Sequence, residues 1–144
     1  MALKKKLVVE YNFDFSLYGM ITPVKEYKLA WLINQRTGIH LIKQEDIILE
    51  FISSEKLFVS NYLYTAEHST IRLVKNRVFM DNLVSPSYLI PELNRFDYLL
   101  LVSGTPNDYT EHELVDIIKN ISDIQYISQL DIEKIKSRDN LIFS

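Results

Sequence analysis

Cysteine is absent from the 144-residue chain. Without a thiol there is no disulfide framework, no thiolate metal site and no cysteine nucleophile. Packing alone must hold the fold, which fits a reducing compartment. Glycine is scarce, with three residues at positions 19, 38 and 104. They are too scattered for GxGxxG or GxxxxGK[ST], so no glycine-rich phosphate cradle is expected. GxSxG is missing as well. Long apolar runs are also missing. The longest, such as residues 98–102, fall far below the roughly 20 residues of a membrane-spanning helix. The basic residues 4–6 precede a segment broken by Glu10, Asn12 and Asp14, so no secretory leader is expected. A cytoplasmic protein with no membrane association is the expectation.

What remains is an ordinary globular composition. Apolar residues make up 47% and charged residues 24%, with 16 basic and 19 acidic side chains and a formal net charge of −3. That balance excludes global disorder. The length suits one domain, and no Ser/Gly/Pro-rich linker or fixed-period repeat divides it. Residues 1–144 are therefore expected to form a single domain. Charge is uneven along the chain: residues 1–80 carry 11 basic and 8 acidic side chains, residues 81–144 carry 5 and 11. Such a split suits a charged partner or head-to-tail self-association, and equally a mixed solvated surface.

Residues 7–21 alternate. Leu7, Val9, Tyr11, Phe13, Phe15, Leu17 and Ile21 share one parity; Glu10, Asn12, Asp14 and Ser16 share the other. Period two predicts a half-buried strand, bent or bulged near Gly19. Thr22-Pro23 reads as N-cap and first helical position, with the helix running to about Gln35 and stopping at Gly38. Tyr27, Ala30, Trp31, Ile33 and Asn34 form one broad arc and Leu29 and Leu32 lie outside it, which predicts cover on more than one side. Strands are expected at residues 39–42, 47–52, 56–65, 70–75 and 78–80, with turns at 66–69 and 75–77. Pro86 and Pro91 bar a central strand from residues 83–95. Residues 96–102 read as a strand buried on both faces. A second helix spans about 109–121, its stripe formed by Leu114, Ile117, Ile118 and Ile121. Thr110…Glu113 and Asp108…Glu111 are rival capping boxes for it. A last strand at 124–128 and a docked tail carrying Leu141-Ile142-Phe143 complete the order. Hairpins dominate, so the fold class is α+β: a mostly antiparallel sheet with two main helices packed on it.

The segment Leu89-Ile90-Pro91-Glu92-Leu93-Asn94-Arg95-Phe96-Asp97-Tyr98 carries a resemblance. Ile90-Pro91-Glu92, three residues, then Phe96-Asp97-Tyr98 resembles the signature for which the IPExxxVDY family is named, with Phe96 where the signature has Val. Length and layout are also similar, including the early Phe-x-Phe-x-Leu strand and the Leu-Ile-Phe near the end. The resemblance implies a cytoplasmic bacterial setting and supplies no activity.

Ile90, Pro91, Glu92, Asp97 and Tyr98 are accordingly the candidate binding residues. Pro91 fixes φ and pushes Ile90 toward an extended conformation. Strand alternation sets Phe96, Tyr98, Leu100 and Val102 on one face and Asp97, Leu99 and Leu101 on the other, so Asp97 and Tyr98 are expected to point opposite ways. The structural reading of the same residues has Glu92 or Asp97 accepting backbone N–H groups that the proline-containing loop leaves unpaired.

No catalytic residue, metal site or cofactor is expected. His40, His68 and His112 lack HExxH spacing. Asp108, His112 and Asp116 share a helical face opposite the apolar stripe, where helix-dipole compensation accounts for the acids better than a metal does. Ser103-Gly104-Thr105 follows the buried strand, but no helix begins directly after it. Basic residues 4–6 beside Tyr11, Phe13 and Phe15, and the pair Tyr62 and Tyr64, resemble base-stacking platforms. The acidic isoelectric point of about 5.6 and the lack of an RNP-like motif set nucleic acid aside.

Two classes of function follow. The leading expectation is a non-catalytic protein–protein interaction or self-association module, because polar groups do not converge in sequence and the first helix is apolar on more than one face. The alternative is a small-ligand-binding protein, or an enzyme, whose site near residues 88–105 draws on Glu92, Asp97, Tyr98 and Ser103. An RNA-associated protein comes third. A flat, apolar surface around residues 88–105 favours the first class, and a concave, polar one favours the second.

Overall fold

Apolar side chains on both parities of residues 98–103 suit the middle of a sheet, not its rim. The computed structural model, which describes residues 13–51, 55–80, 87–106 and 109–143, puts them there. The strands are β1 (Ser16–Ile21), β2 (Ile42–Lys43), β3 (Ile47–Glu50), β4 (Lys56–Val59), β5 (Asn61–Ala66), β6 (Ser69–Lys75), β7 (Arg77–Met80), β8 (Ser87–Tyr88), β9 (Tyr98–Ser103) and β10 (Tyr126–Leu130). The helices are α1 (Glu26–Thr37) and α2 (Glu111–Lys119). Six strands pair in the order β10-β1-β9-β6-β5-β2 and four in the order β3-β4-β7-β8. The described pairings are antiparallel, so the fold is α+β. No helix among the described residues is long and apolar enough to cross a membrane.

Strand parity sorts the core into two layers. Tyr98, Leu100 and Val102 join Tyr18, Met20, Ile71 and Leu73 beneath the two helices. Leu99 and Leu101 face the other way, onto a cluster with Leu17, Val74, Leu89, Ile90 and Leu141 of the C-terminal segment. The sheet is therefore buried on both sides. This corrects the half-buried reading of the first strand, whose polar parity is taken over by Tyr18 and Met20 from residue 18 onward. No bulge interrupts it: Gly19 stays in register with both Leu99 and Ser128. Glycine is required there for space. A Cβ at residue 19 would lie 2.6 Å from the Phe96 ring. The expected strand residues Leu7, Val9 and Tyr11 lie outside the described residues, as do the basic residues 4–6, Pro86 and Asp108.

Of the two helices, α1 differs from expectation at its start and α2 takes one of its two expected capping boxes. Thr22 does not cap α1: it is buried, and its hydroxyl donates to the Asp123 carbonyl at 2.7 Å. The cap position is Lys25, with no side-chain cap. Leu29, Ala30, Leu32 and Ile33 make the buried face, while Tyr27 and Trp31 face out at 65% and 57% exposure. The helix is thus covered on one side only, which corrects the two-sided reading. Gly38 ends it in the left-handed conformation at φ 80°, as expected. For α2, Thr110 and Glu113 form the capping box.

Residues 75–77 are not a turn. β6 runs on into β7 across Asn76, and β4 runs on into β5 across Ser60. The two breaks are opposite each other, with the Lys75 N–H donating to the Ser60 carbonyl at 3.1 Å. One long ribbon therefore serves both sheets and bends at these two residues, opening a hollow beside the start of α1.

Candidate functional site

The segment Ile90 to Tyr98 splits into two halves with different surroundings. Ile90 is fully buried in the second apolar cluster. Pro91 opens a single 3-10 turn, Pro91–Leu93, where its missing N–H costs nothing. Glu92 faces the C-terminal segment: its two carboxylate oxygens accept the Ser137 N–H and hydroxyl, each at 2.7 Å. Burial alone would raise the Glu92 pKa, but these bonds outweigh it and hold the carboxyl below its ordinary value. Glu92 thus accepts backbone N–H groups from the tail, at Ser137 and Lys136, and from its own residue in the proline-containing loop.

That loop is held by Asn76, which joins β6 to β7 where a turn is expected. Asn76 is fully buried. Its Nδ2 donates to the carbonyls of Leu93 (2.9 Å) and Phe96 (3.1 Å), and its Oδ1 accepts the Ile90 N–H at 3.0 Å. Its backbone N–H donates to the Asp97 carbonyl and its carbonyl accepts the Leu89 N–H. One amide side chain thus satisfies the polar backbone of a loop that makes no ladder of its own.

The second half of the segment opens on the hollow. Regular alternation begins only at Tyr98, where β9 starts, so Phe96 packs in the layer opposite Tyr98. This corrects the shared face expected for those two residues. Asp97 and Tyr98 both line one cleft of about 680 Å³ and both bond to residues 22–24, which also corrects the expectation that they point opposite ways. Asp97 is exposed there, and its Oδ2 accepts the Thr22 N–H at 2.9 Å. Tyr98 is buried, and its hydroxyl donates to the Val24 carbonyl at 2.7 Å.

The rest of the wall comes from α1 and the bent ribbon. The uncapped first turn of α1 contributes Lys25, Glu26 and Tyr27; the ribbon contributes Lys43, Ser60, Tyr62, Lys75 and Arg77. Lys43 donates to the Ser60 hydroxyl, which donates to Glu26 Oε1 at 2.5 Å, and Lys43 also pairs with Glu26 and Asp46. Glu26 Oε2 is buried without a hydrogen-bond partner. Burial, then the charges of Glu26 and Asp97, push the Tyr98 phenol up to about 12. Burial and Glu26 raise Tyr62 likewise. Both phenols therefore stay protonated at neutral pH. Among the described residues of the wall, four cations (Lys25, Lys43, Lys75, Arg77) face two carboxylates (Glu26, Asp97). The lining is concave, polar and net basic, although the chain as a whole is acidic.

The other candidates do not gather here. Ser103 ends β9 about 17 Å along the strand from Tyr98. It lines a smaller hollow with Thr70, Arg72 and Phe143. His112 and Asp116 lie on the exposed side of α2. Lys43, Lys75, Arg77 and Glu26 were not legible as site residues. The one sequence signal was Lys75-Asn76-Arg77, two cations at strand spacing, hidden because the segment reads as a turn. No family model, curated protein or solved structure matches the chain.

Proposed function

We propose that the protein is a non-catalytic binding domain for a small anionic ligand, held in the cleft between the start of α1 and the bent ribbon. One observation carries the reading: Lys75 and Arg77 both line a concave site beside an uncapped helix start, and neither side chain has a hydrogen-bond or ion-pair partner among the described residues. Free N–H groups and the helix dipole favour negative charge at that position, and unpaired cations at strand spacing add to it. A cleft of about 680 Å³ lies within the range of small-molecule sites. Binding is favoured over catalysis because Tyr62 and Tyr98 of the wall are pushed away from neutral pH, where an acid or base would need to work. Calorimetric titration with inorganic phosphate and with citrate tests the reading. Saturable binding of either anion, lost in the K75A/R77A double variant, supports it. Failure of both to bind, or equal binding by the double variant, refutes it.

A second reading rests on Tyr27 and Trp31, which lie one turn apart on the outer side of α1 and are more than half exposed. Such a pair suits self-association or a protein partner. Light scattering that reports the same monomer for the wild type and a Y27S/W31S variant removes self-association. We also propose membership of the IPExxxVDY family and a cytoplasmic setting, supported by the five matched residues between Ile90 and Tyr98 and by the lack of cysteine.

A further inference from the structure

The cleft carries both signs of charge, and this narrows what fits it. Lys75 and Arg77 reach it from the end of β6 and the start of β7, either side of Asn76. Asp97 reaches it from the segment ahead of β9, with Oδ2 engaged by the Thr22 N–H and Oδ1 without a partner among the described residues. A bare polyanion would set its charge against Asp97. A neutral polyol would leave the two cations unused. A molecule with an anionic head and hydroxyl donors a few ångströms away uses both, since a carboxylate only accepts and a guanidinium or ammonium only donates. The Arg77 fork matches the oxygens of a phosphate. The cleft, at about 680 Å³, is also far larger than one phosphate ion needs.

Resting on the reading of the cleft as an anion site, we infer that its ligand is a sugar phosphate. The phosphomonoester lies against Lys75, Arg77 and the first turn of α1, and sugar hydroxyls donate to Asp97. The half-buried Tyr88 ring lies on the same wall, as does the Tyr62 ring with the Lys43 ammonium 5.5 Å from its centroid, so a nucleotide is the form of this chemistry that would use them as well.

Calorimetric titration with ribose 5-phosphate, AMP, inorganic phosphate and adenosine tests the inference. The wild type is expected to bind ribose 5-phosphate at least about tenfold tighter than inorganic phosphate, the factor that hydrogen bonds to a charged acceptor supply. D97N keeps an amide oxygen for the Thr22 N–H. It is expected to bring ribose 5-phosphate down to the level of inorganic phosphate without weakening the latter. AMP binding tighter than ribose 5-phosphate supports a nucleotide, and equal affinities support a sugar phosphate without a base. Inorganic phosphate binding as tightly as ribose 5-phosphate overturns the sugar-phosphate inference and leaves the anion reading standing. No binding by any of the four overturns both. Should D97N fail to fold, the wild-type ratio of ribose 5-phosphate to inorganic phosphate decides alone.

Discussion

Asn76→Ala is the perturbation that reaches furthest into this fold. It deletes two donated bonds and one accepted bond, and spares the bonds of the Asn76 backbone. The Ile90 N–H suffers most, because Ile90 is fully buried and water cannot replace the lost oxygen. A buried donor left unpaired costs about 1–3 kcal/mol, and each of the other two bonds contributes about 1 kcal/mol net. The sum, about 3–5 kcal/mol, is a large share of the roughly 5–15 kcal/mol that holds a domain together. At this chain length it corresponds to a fall in Tm of roughly 10–15 °C. Asn76→Asp restores the acceptor but not the donors, and turns a carboxylate toward two carbonyls. It is expected to cost at least as much. Urea unfolding followed by tyrosine and tryptophan fluorescence measures both. An Asn76→Ala midpoint within about 1 kcal/mol of wild type at an unchanged slope would refute the hub.

Two further predictions test the packing around the same loop. Gly19→Ala sets a methyl group 2.6 Å from the Phe96 ring, which has the Arg95 guanidinium 4.7 Å from its centroid and Tyr126 stacked on it. Overpacking of this kind is expected to cost about 1–3 kcal/mol, read from the shift in the denaturation midpoint. The Glu92 carboxyl is held below its ordinary value in the folded state, with the Ser137 bonds outweighing burial. Its contribution is complete above the unfolded carboxyl pKa and is lost as pH falls through the folded one. Because Glu92 is exposed, solvent screening limits that contribution to about 1 kcal/mol or less. Glu92→Gln should flatten this part of the acid limb, and Glu92→Ala should loosen residues 132–143 to limited proteolysis. Unchanged unfolding midpoints in both variants would remove Glu92 from the structural account.

The sheet was legible where burial acts through chain-local pattern. β9 is apolar on both parities, and α2 carries its stripe and its capping box within one short stretch. The α+β class follows from counting hairpins. What escaped was set by distant partners. Asn76 looks like a turn residue because its three side-chain partners lie 14, 17 and 20 residues away. The face of α1 was misjudged because apolar residues occupy both arcs, and only contact with the sheet and α2 decides that Leu29 and Leu32 go in while Tyr27 and Trp31 stay out. Asp97 and Tyr98 are recognisable as candidates, but their shared side is not, because the chain pattern does not show that regular alternation starts only at Tyr98. The cleft collects Glu26, Lys43, Lys75, Arg77 and Asp97 from separate stretches of chain, none carrying a motif.

The central claim is that anions settle in the cleft beside the start of α1. Chemical-shift mapping of the isotopically labelled protein during titration with inorganic phosphate tests it most directly. The account predicts saturable shifts confined to the amides of residues 22, 24–27, 75–77 and 97–98. Shifts that never saturate, or that gather around the C-terminal segment at residues 132–143, would contradict it.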